Sequence, residues 1–549
     1  MTRTRSGGHL LIEALRAQGT DHVFCVPGES FLVALDGLHE DQSIRTVVCR
    51  QEGGAAMMAD AYGKLTHRPG VCFVSRGPGA SNAASGIHIA AQDSTPLVLF
   101  VGQIARETIG REAFQEIDYA AMYGDIAKRV EQVIDPDRIP EVVSRAFHTA
   151  VNGRAGPVVV ALPEDMLREH TSAEPLAPFH SLEPAPTTSA MDRFAEMLRQ
   201  ASRPVMIVGG RGWTARTREC LQQFAADWQL PVVAGFRFQD CFDNGHEQYV
   251  GGLGLGTDPD LTAAIKASDL VIAVGVRLGE VTTAGYSLID IPQPRQPLVH
   301  VYPGMEELGS VYYPALAMNA STDQFAAALG AFSPAPVERP WSKSTRDLRQ
   351  GYLDWTQPLP GRADVNLSEV VCTLRDALPA DAIIANGAGN YTAWVHRFHR
   401  YRELGSQLAP TAGSMGYGLP AAVTAKLLYP KRTVVVFAGD GCFLMTGQEL
   451  ATAVQYRLAI VIIVVNNNML GTIRMHQEQR FPGRVIGTEL VNPDFCALAR
   501  AYGAHAERVE KTEEFLPALN RALAEPLPAL IELTHDPDTI SPTRSLAGM

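Results

Sequence analysis

Residues 433–470, TVVVFAGDGCFLMTGQELATAVQYRLAIVIIVVNNNML, leave the chain the fewest folding options. Residues 433–438 form a valine-rich run of the kind found in strands buried on both faces. Gly439-Asp440-Gly441 interrupts it. Thr446-Gly447-Gln448-Glu449 has the spacing of a capping box and predicts the start of a helix. Residues 459–465 are a second β-branched run, closed by Asn466-Asn467. Strand, turn, helix and strand make a βαβ unit with parallel strands. The strands' carboxyl ends then lie about 5 Å apart. Asp440 and Asn467 would face one crevice beyond the sheet edge, where open α/β sheets bind ligands. A carboxylate and an amide oxygen suit Mg²⁺, which takes hard oxygen ligands and completes its shell from phosphates. The flanking glycines let backbone amides approach those phosphates. GDG alone is an ordinary βα turn; the whole arrangement points to a metal–phosphate site.

A chain of 549 residues holds several domains. Residues 168–190 are rich in Pro, Ser and Thr and lack periodicity, and residues 332–362 contain SPAPVERPW and TQPLPG; both predict linkers. Domains are therefore expected over 1–168, 190–332 and 362–540. Each block alternates strand-like and helix-like runs, which predicts three doubly wound parallel-sheet α/β domains. The first and last could be related folds, although no short-period repeat is visible. A net charge of −12 argues against nucleic acid as a partner. The 8 cysteines include no CxxC pair, so neither a disulfide framework nor a zinc site is expected, and a reducing cytoplasm fits. The first residues read as an amphipathic helix rather than a signal peptide, because Glu13 and Arg16 interrupt the apolar run. No run is long and uncharged enough to predict a membrane span.

In the first block, a strand over 23–26 ends at Pro27-Gly28-Glu29-Ser30. A second, over 44–49, runs into Glu52 and a series of small residues that suits a closely packed helix. Glu52 would open that helix, where the macrodipole favours a carboxylate and burial opposes its charge. A strand over 71–75 leads into Arg76-Gly77-Pro78-Gly79-Ala80-Ser81-Asn82, a glycine-rich loop that could cradle an anion or be a plain βα turn. Ala113-Phe114-Gln115-Glu116 reads as loop. In the middle block, GGRG at 209–212 is a weak, partial dinucleotide fingerprint.

RQEGGAAMMADAYG, SRGPGASN, DSTPLVLFVGQ, AFQE, GSMGYGLPAA and GDG…NN stand here in one order. In that order they resemble the acetolactate synthase-like branch of the thiamine diphosphate enzymes. The resemblance covers most of the chain and is strongest in the first and third blocks. It implies a pyrimidine-binding first domain, a central domain and a diphosphate-binding third domain, with thiamine diphosphate and Mg²⁺ as cofactors. It implies Asp440, Asn467 and the Met469 carbonyl as metal ligands. Gly439, Gly441, Cys442 and the loop Gly389-Asn390-Tyr391 would surround the diphosphate. The Gly413 carbonyl and Met415 amide would meet the pyrimidine edge, with the Met415 side chain propping the cofactor. Glu52 would bond the opposite pyrimidine edge and drive the proton transfer that activates it, a role that asks for a buried carboxyl. Because Glu52 and Asp440 come from different blocks, the resemblance implies a homodimer at least, and a tetramer is common.

The implied reaction makes or breaks a C–C bond beside the carbonyl of a 2-oxo acid or 2-hydroxy ketone. Carboligation leads, with simple decarboxylation or C–C lysis next; the first block has no adjacent His-His pair of the kind decarboxylases carry. Phe114 and Gln115 match the acyl-acceptor side, and Glu29 and His476 match substrate-facing positions. Small residues and a tryptophan usual at those last two positions are absent. The middle block departs from the FAD-binding pattern: VGGLGLGTDP lacks a histidine, Leu-Gly-Glu follows Arg277, and Tyr302 replaces an aspartate. FAD is therefore possible but not favoured. A nicotinamide-dependent dehydrogenase using GGRG, or a non-catalytic cofactor-binding protein, are the readings from other classes.

Overall fold

The computed structural model describes residues 4–330, 332, 338–361 and 363–549. Residues 333–337 and 362, which fall in the second predicted linker, lie outside the described residues. Three six-stranded sheets dominate. The first holds β1 (His22–Cys25), β2 (Arg45–Val48), β3 (Gly70–Val74), β4 (Leu97–Gln103), β5 (Arg129–Gln132) and β6 (Pro157–Pro163). The second holds β7 (Pro204–Val208), β8 (Val232–Ala234), β9 (Tyr249–Gly252), β10 (Leu270–Val274), β11 (Leu298–Tyr302) and β12 (Leu316–Asn319). The third holds β13 (Ile383–Asn386), β14 (Gln407–Leu408), β15 (Val434–Gly439), β16 (Val461–Asn466), β17 (His505–Val509) and β18 (Ala529–Thr534).

Every pairing within these sheets is parallel. Strands such as β4 and β6 are buried along their whole length, as helices covering both faces require. The first sheet runs β2-β1-β3-β4-β6-β5 and the third β14-β13-β15-β16-β18-β17, so the two share one strand order. The second runs β9-β8-β7-β10-β11-β12, the order of a dinucleotide-binding fold. The expected fold class is what the chain adopts. No described helix is long and apolar enough to cross a membrane, and all eight cysteines are free thiols.

Contacts divide the chain into two units. One runs from the N-terminus to Leu182 and adds Leu419–Leu428 and Thr446–Tyr456. In it the Tyr456 hydroxyl accepts from the Val48 amide at 2.8 Å, covering edge strand β2. The helices Glu52–Thr66 and Pro78–Asp93 pack so closely that a Cβ on Gly86 would overlap that of Ala56, which is why the small-residue run is there. The other unit comprises Glu183–Gly418, Tyr429–Met445 and Arg457–Met549 and holds the second and third sheets. Within it Arg237 donates to the carbonyls of Pro410 and, at 2.8 Å, Gly387.

Three local expectations are corrected. The second predicted linker contains a helix, Ser342–Trp355. Trp341, Leu348 and Tyr352 recur at helical spacing and pack on the central core, a periodicity masked by the charged residues between them. No turn separates β15 from its helix: Asp440–Leu444 is helical at once. The capping box does not form; Gly447–Glu449 is a single 3-10 turn before the helix Leu450–Gln455. Glu449 instead sends its carboxylate to the Arg50 and Gln51 amides.

Candidate active site

In the third sheet the chain turns one way from β13 to β14 and the other way to β15, which makes the gap between β13 and β15 a topological switch point. A cleft of about 250 Å³ opens there. Its wall takes Gly389, Asn390 and Tyr391 after β13, Gly413 and Met415 after β14, and Gly439, Asp440, Gly441 and Cys442 after β15. Asn467 and Met469 after β16 complete it. The residues expected around the metal and diphosphate, with Gly413 and Met415 expected at the pyrimidine, are brought together on one sheet edge.

Asp440 opens its helix and is 3% exposed. One carboxylate oxygen accepts from the Gly441 amide at 2.8 Å, the other from the Asn492 side-chain amide at 2.7 Å. Burial pushes its carboxyl above the usual carboxylate range; the Gly441 amide and Asn492 pull the other way. Asn467 Oδ1 lies 3.3 Å from the Met469 amide across a turn in which Asn468 is left-handed, φ 54°. Cys442 ties three loops together. Its sulfur accepts from the Gly416 amide at 3.2 Å and lies 3.1 Å from the Tyr391 hydroxyl, which accepts from the Gly387 amide at 3.0 Å.

Two glycines leave room. A Cβ on Gly441 would stand 2.9 Å from Leu470 Cδ2 and 3.6 Å from Met415 Cε, and one on Gly439 would stand 2.9 Å from the Tyr391 ring. Asn390 Oδ1 accepts from Thr472 at 2.8 Å. The last residues also join the wall: His535, Thr539 and Ile540 line the cleft, the imidazole held by the Thr539 carbonyl at 2.9 Å. A carboxylate, an amide oxygen and a backbone carbonyl beside a bare glycine floor fit Mg²⁺ and a diphosphate. His476 is not in this wall. The helix Gly471–Arg480 gives Gly471, Thr472 and Ile473 to the cleft, and His476 lies a turn further on, outside the cleft lining.

The remaining predicted residues stand in the first unit, at the carboxyl edge of its sheet. Glu52 opens the helix Glu52–Thr66 after β2. Its Oε2 accepts from Asn82 Nδ2 at 2.9 Å, and Oε1 would stand 3.3 Å from a Cβ on Gly79, so the glycine-rich loop closes onto it. The carboxylate is half-buried within its own unit rather than buried. Glu449, fully buried, takes the amides of Arg50 and Gln51, each at 3.0 Å, and the Thr452 hydroxyl at 2.6 Å. Burial pushes the Glu449 carboxyl up against the pull of Thr452 and those amides.

Glu29, after β1, has a side chain 74% exposed and pairs at 3.1 Å with Arg76, which pairs at 3.1 Å with Glu164. Gln115, with φ 66°, lies so close to Gly77 that a Cβ there would stand 2.7 Å from its own. Phe114 beside it is 73% exposed. The sequence offers no sign of Asn492, and it names Asn82 and Glu449 only as part of a glycine-rich loop and of a capping box, not for the contacts they make. Asn82 stands four residues into the helix opened by the glycine-rich loop, a readable position; Glu449 and Asn492 act across distances no local pattern encodes.

Three family models match in the order of the three sheets. Thiamine pyrophosphate enzyme, N-terminal TPP binding domain, matches residues 5–122. The central domain of the same family matches 191–329, and its C-terminal TPP binding domain 387–533. The acetolactate synthase large subunit of Parasynechococcus marenigrum is 33% identical over 97% of this chain and 88% of its own length. The acetolactate synthase isozyme 2 large subunit of Escherichia coli is 30% identical over 97% and 96%. The large subunit of Corynebacterium glutamicum is 31% identical over 94% and 84%. The chain belongs to the thiamine pyrophosphate enzyme family.

Proposed function

We propose that the chain is a thiamine diphosphate- and Mg²⁺-dependent carboligase that joins a 2-oxo acid to a second carbonyl compound, as the names of its relatives suggest. The observation that carries this reading is the third-sheet cleft, whose single edge gathers the oxygen donors and bare glycines that a metal–diphosphate needs. Asp440, Asn467 and the Met469 carbonyl would hold Mg²⁺, with Gly389, Asn390, Tyr391, Gly439, Gly441 and Cys442 about the diphosphate. Gly413 and Met415 would meet the pyrimidine. When bound, thiamine diphosphate supplies a nucleophilic ring carbon and a sink for electrons released beside a carbonyl.

The protein's part is to orient, to exclude water and to move protons. Glu52 holds and passes a proton at the pyrimidine edge, with Asn82 fixing its carboxylate. Its half-exposed state in one chain supports a site completed by a second copy, so the working form is at least a homodimer and in our reading a homotetramer. Phe114 and Gln115 face the acceptor, and Glu29 and His476 shape substrate choice. The domains run over 1–168, 190–332 and 362–540, with helix Ser342–Trp355 of the second junction belonging to the central core; FAD is not required, and the enzyme works in the cytoplasm.

Incubation with Mg²⁺, thiamine diphosphate, pyruvate and a panel of 2-oxo acids and aldehydes, with products read by mass spectrometry, tests this. A 2-hydroxy ketone or 2-hydroxy-2-alkyl-3-oxo acid is expected. Release of free aldehyde alone would move the assignment to a decarboxylase, and a chain that binds no thiamine diphosphate would end it.

A further inference from the structure

Asn492 belongs to no motif that the cofactor reading uses, yet its amide sits at the centre of the metal-site hydrogen bonds. Its Nδ2 lies 2.7 Å from Asp440 Oδ2, 2.9 Å from Asn466 Oδ1 and 3.3 Å from Asn468 Oδ1. Three acceptors surround two N–H groups, so the amide can only point its nitrogen this way; reversed, its oxygen would face a carboxylate and two amide oxygens. The orientation of Asn466 is fixed in turn. Its Nδ2 donates at 2.8 Å to Glu532, 3% exposed, whose other oxygen accepts from Arg508 Nε at 3.0 Å. Donors and acceptors thus alternate from Arg508 through Glu532, Asn466 and Asn492 to Asp440.

The segment carrying Asn492 is also tied beside the cleft. The Leu470 amide donates to the Thr488 carbonyl at 2.8 Å and the Leu490 amide to the Asn468 carbonyl at 2.9 Å. Asn492 follows directly. Its own Oδ1 is buried without a partner. A buried orphan carbonyl is costly and calls for a reason. Here the reason is that both N–H groups are committed to oxygens of the Asp440 region.

We propose that Asn492 is a positioning residue for the metal: its amide holds the Asp440 carboxylate and the Asn466-Asn467-Asn468 turn in one fixed relation. The inference rests on the reading of Asp440 and Asn467 as metal ligands. Without the amide, Asp440 Oδ2 loses its side-chain donor, and the Asn466 and Asn468 side-chain oxygens lose the group that links them to that carboxylate. Partners of this kind, one shell out from a metal, are worth about 10–100-fold in metal affinity.

The test is a titration of chelator-treated protein with Mn²⁺ in the presence of thiamine diphosphate, free Mn²⁺ being read by its EPR signal. Asn492→Ala is expected to bind Mn²⁺ about 10–100-fold more weakly, with the metal-free melting temperature kept within about 2 °C of wild type. Asn492→Ser, which keeps one donor, is expected to fall between, and replaces Asn492→Ala if that variant does not fold. Wild-type Mn²⁺ affinity in both variants would overturn the proposal. So would an equal loss of melting temperature with and without metal at unchanged affinity, the mark of a purely structural clip. If the wild type itself takes up no Mn²⁺ with thiamine diphosphate, it is the metal-site assignment that fails, and this inference with it.

Discussion

Two sheets of the same strand order end in opposite chemistry. After the third strand of the third sheet stands Gly439-Asp440-Gly441; after the third strand of the first stands Arg76-Gly77-Pro78-Gly79. After the second strand one sheet offers the Met415 loop and the other Glu52. The shared fold fixes only where loops emerge; the residues on them decide what they do. The two carboxylates differ just as much. Asp440 is buried and held by an amide of its own helix and by Asn492. Glu52 is half-buried, and Asn82 is the side chain that holds it. The end proposed to hold the metal is therefore enclosed within one unit, whereas the end proposed to handle the proton is half-exposed in its own.

The largest expected effect breaks the enclosed end. Asp440→Asn removes the charged ligand, and turnover should fall at least about 10³-fold, equivalent to roughly 4 kcal/mol of lost stabilisation. Activity within tenfold of wild type would sink the assignment. The same substitution should make the metal-free protein more stable at neutral pH. Asp440 has its folded pKa raised by burial above the unfolded value of about 3.9. Its contribution to stability is therefore full below the unfolded pKa and is lost as pH rises through the folded one. At pH 7 the buried charge is a cost that the neutral amide of the variant does not carry and that a metal would offset. Acidifying towards the unfolded carboxylate range should narrow the gap in melting temperature between wild type and variant; a gap that is absent at neutral pH, or that widens on acidification, would show that burial does not govern Asp440.

Glu52→Gln probes the half-exposed end. A positioned proton-transfer group is worth about 10²–10⁴-fold, and that loss is expected with Mn²⁺ affinity unchanged. A variant losing metal as well would show that the two ends are not independent.

Much of the enclosed end was readable in the sequence, because its chemistry travels with local signals. β15 and β16 announce themselves by valine and isoleucine, and Asp440 and Asn467 stand at their ends. Glu52 was readable for the same reason, at the junction of a strand and a small-residue helix. What was not legible is what holds these groups. Asn492 reaches Asp440 across 52 positions, and Glu449 reaches Arg50 across 399. The Glu449 case also misled: Thr446 to Glu449 has capping-box spacing, yet the carboxylate finds two amides ahead of the Glu52 helix, a better partner than its own turn offers. Helix Ser342–Trp355 was missed because its apolar stripe is narrow and its other faces are charged.

Glu449→Ala tests that support and should have a middling effect. The Arg50 and Gln51 amides lose their acceptor, which costs about 1–3 kcal/mol, read as a lower melting temperature. Turnover should drop less than in Glu52→Gln, and Glu449→Gln, which keeps an acceptor oxygen, should recover most of it. A loss as deep as that of Glu52→Gln would make Glu449 a participant in the proton transfer rather than a support for it.

The smallest effect is expected at His476, and it bears on how far the enclosed end extends. The helix Gly471–Arg480 lends its first turn to the cleft and carries His476 beyond the cleft wall. On the proposed function, a small acceptor held at the cleft floor would not reach it, whereas an acceptor with a longer side chain would. His476→Ala should leave kcat/KM for small acceptors within about twofold and change it for bulky ones by about 3–10-fold, the worth of one hydrogen bond of about 1 kcal/mol. Equal losses for small and bulky acceptors would place His476 against the reacting carbonyl itself. In that case the helix must swing inward when substrate binds, and the end proposed to hold the metal, enclosed as it is, would be open on its substrate side after all.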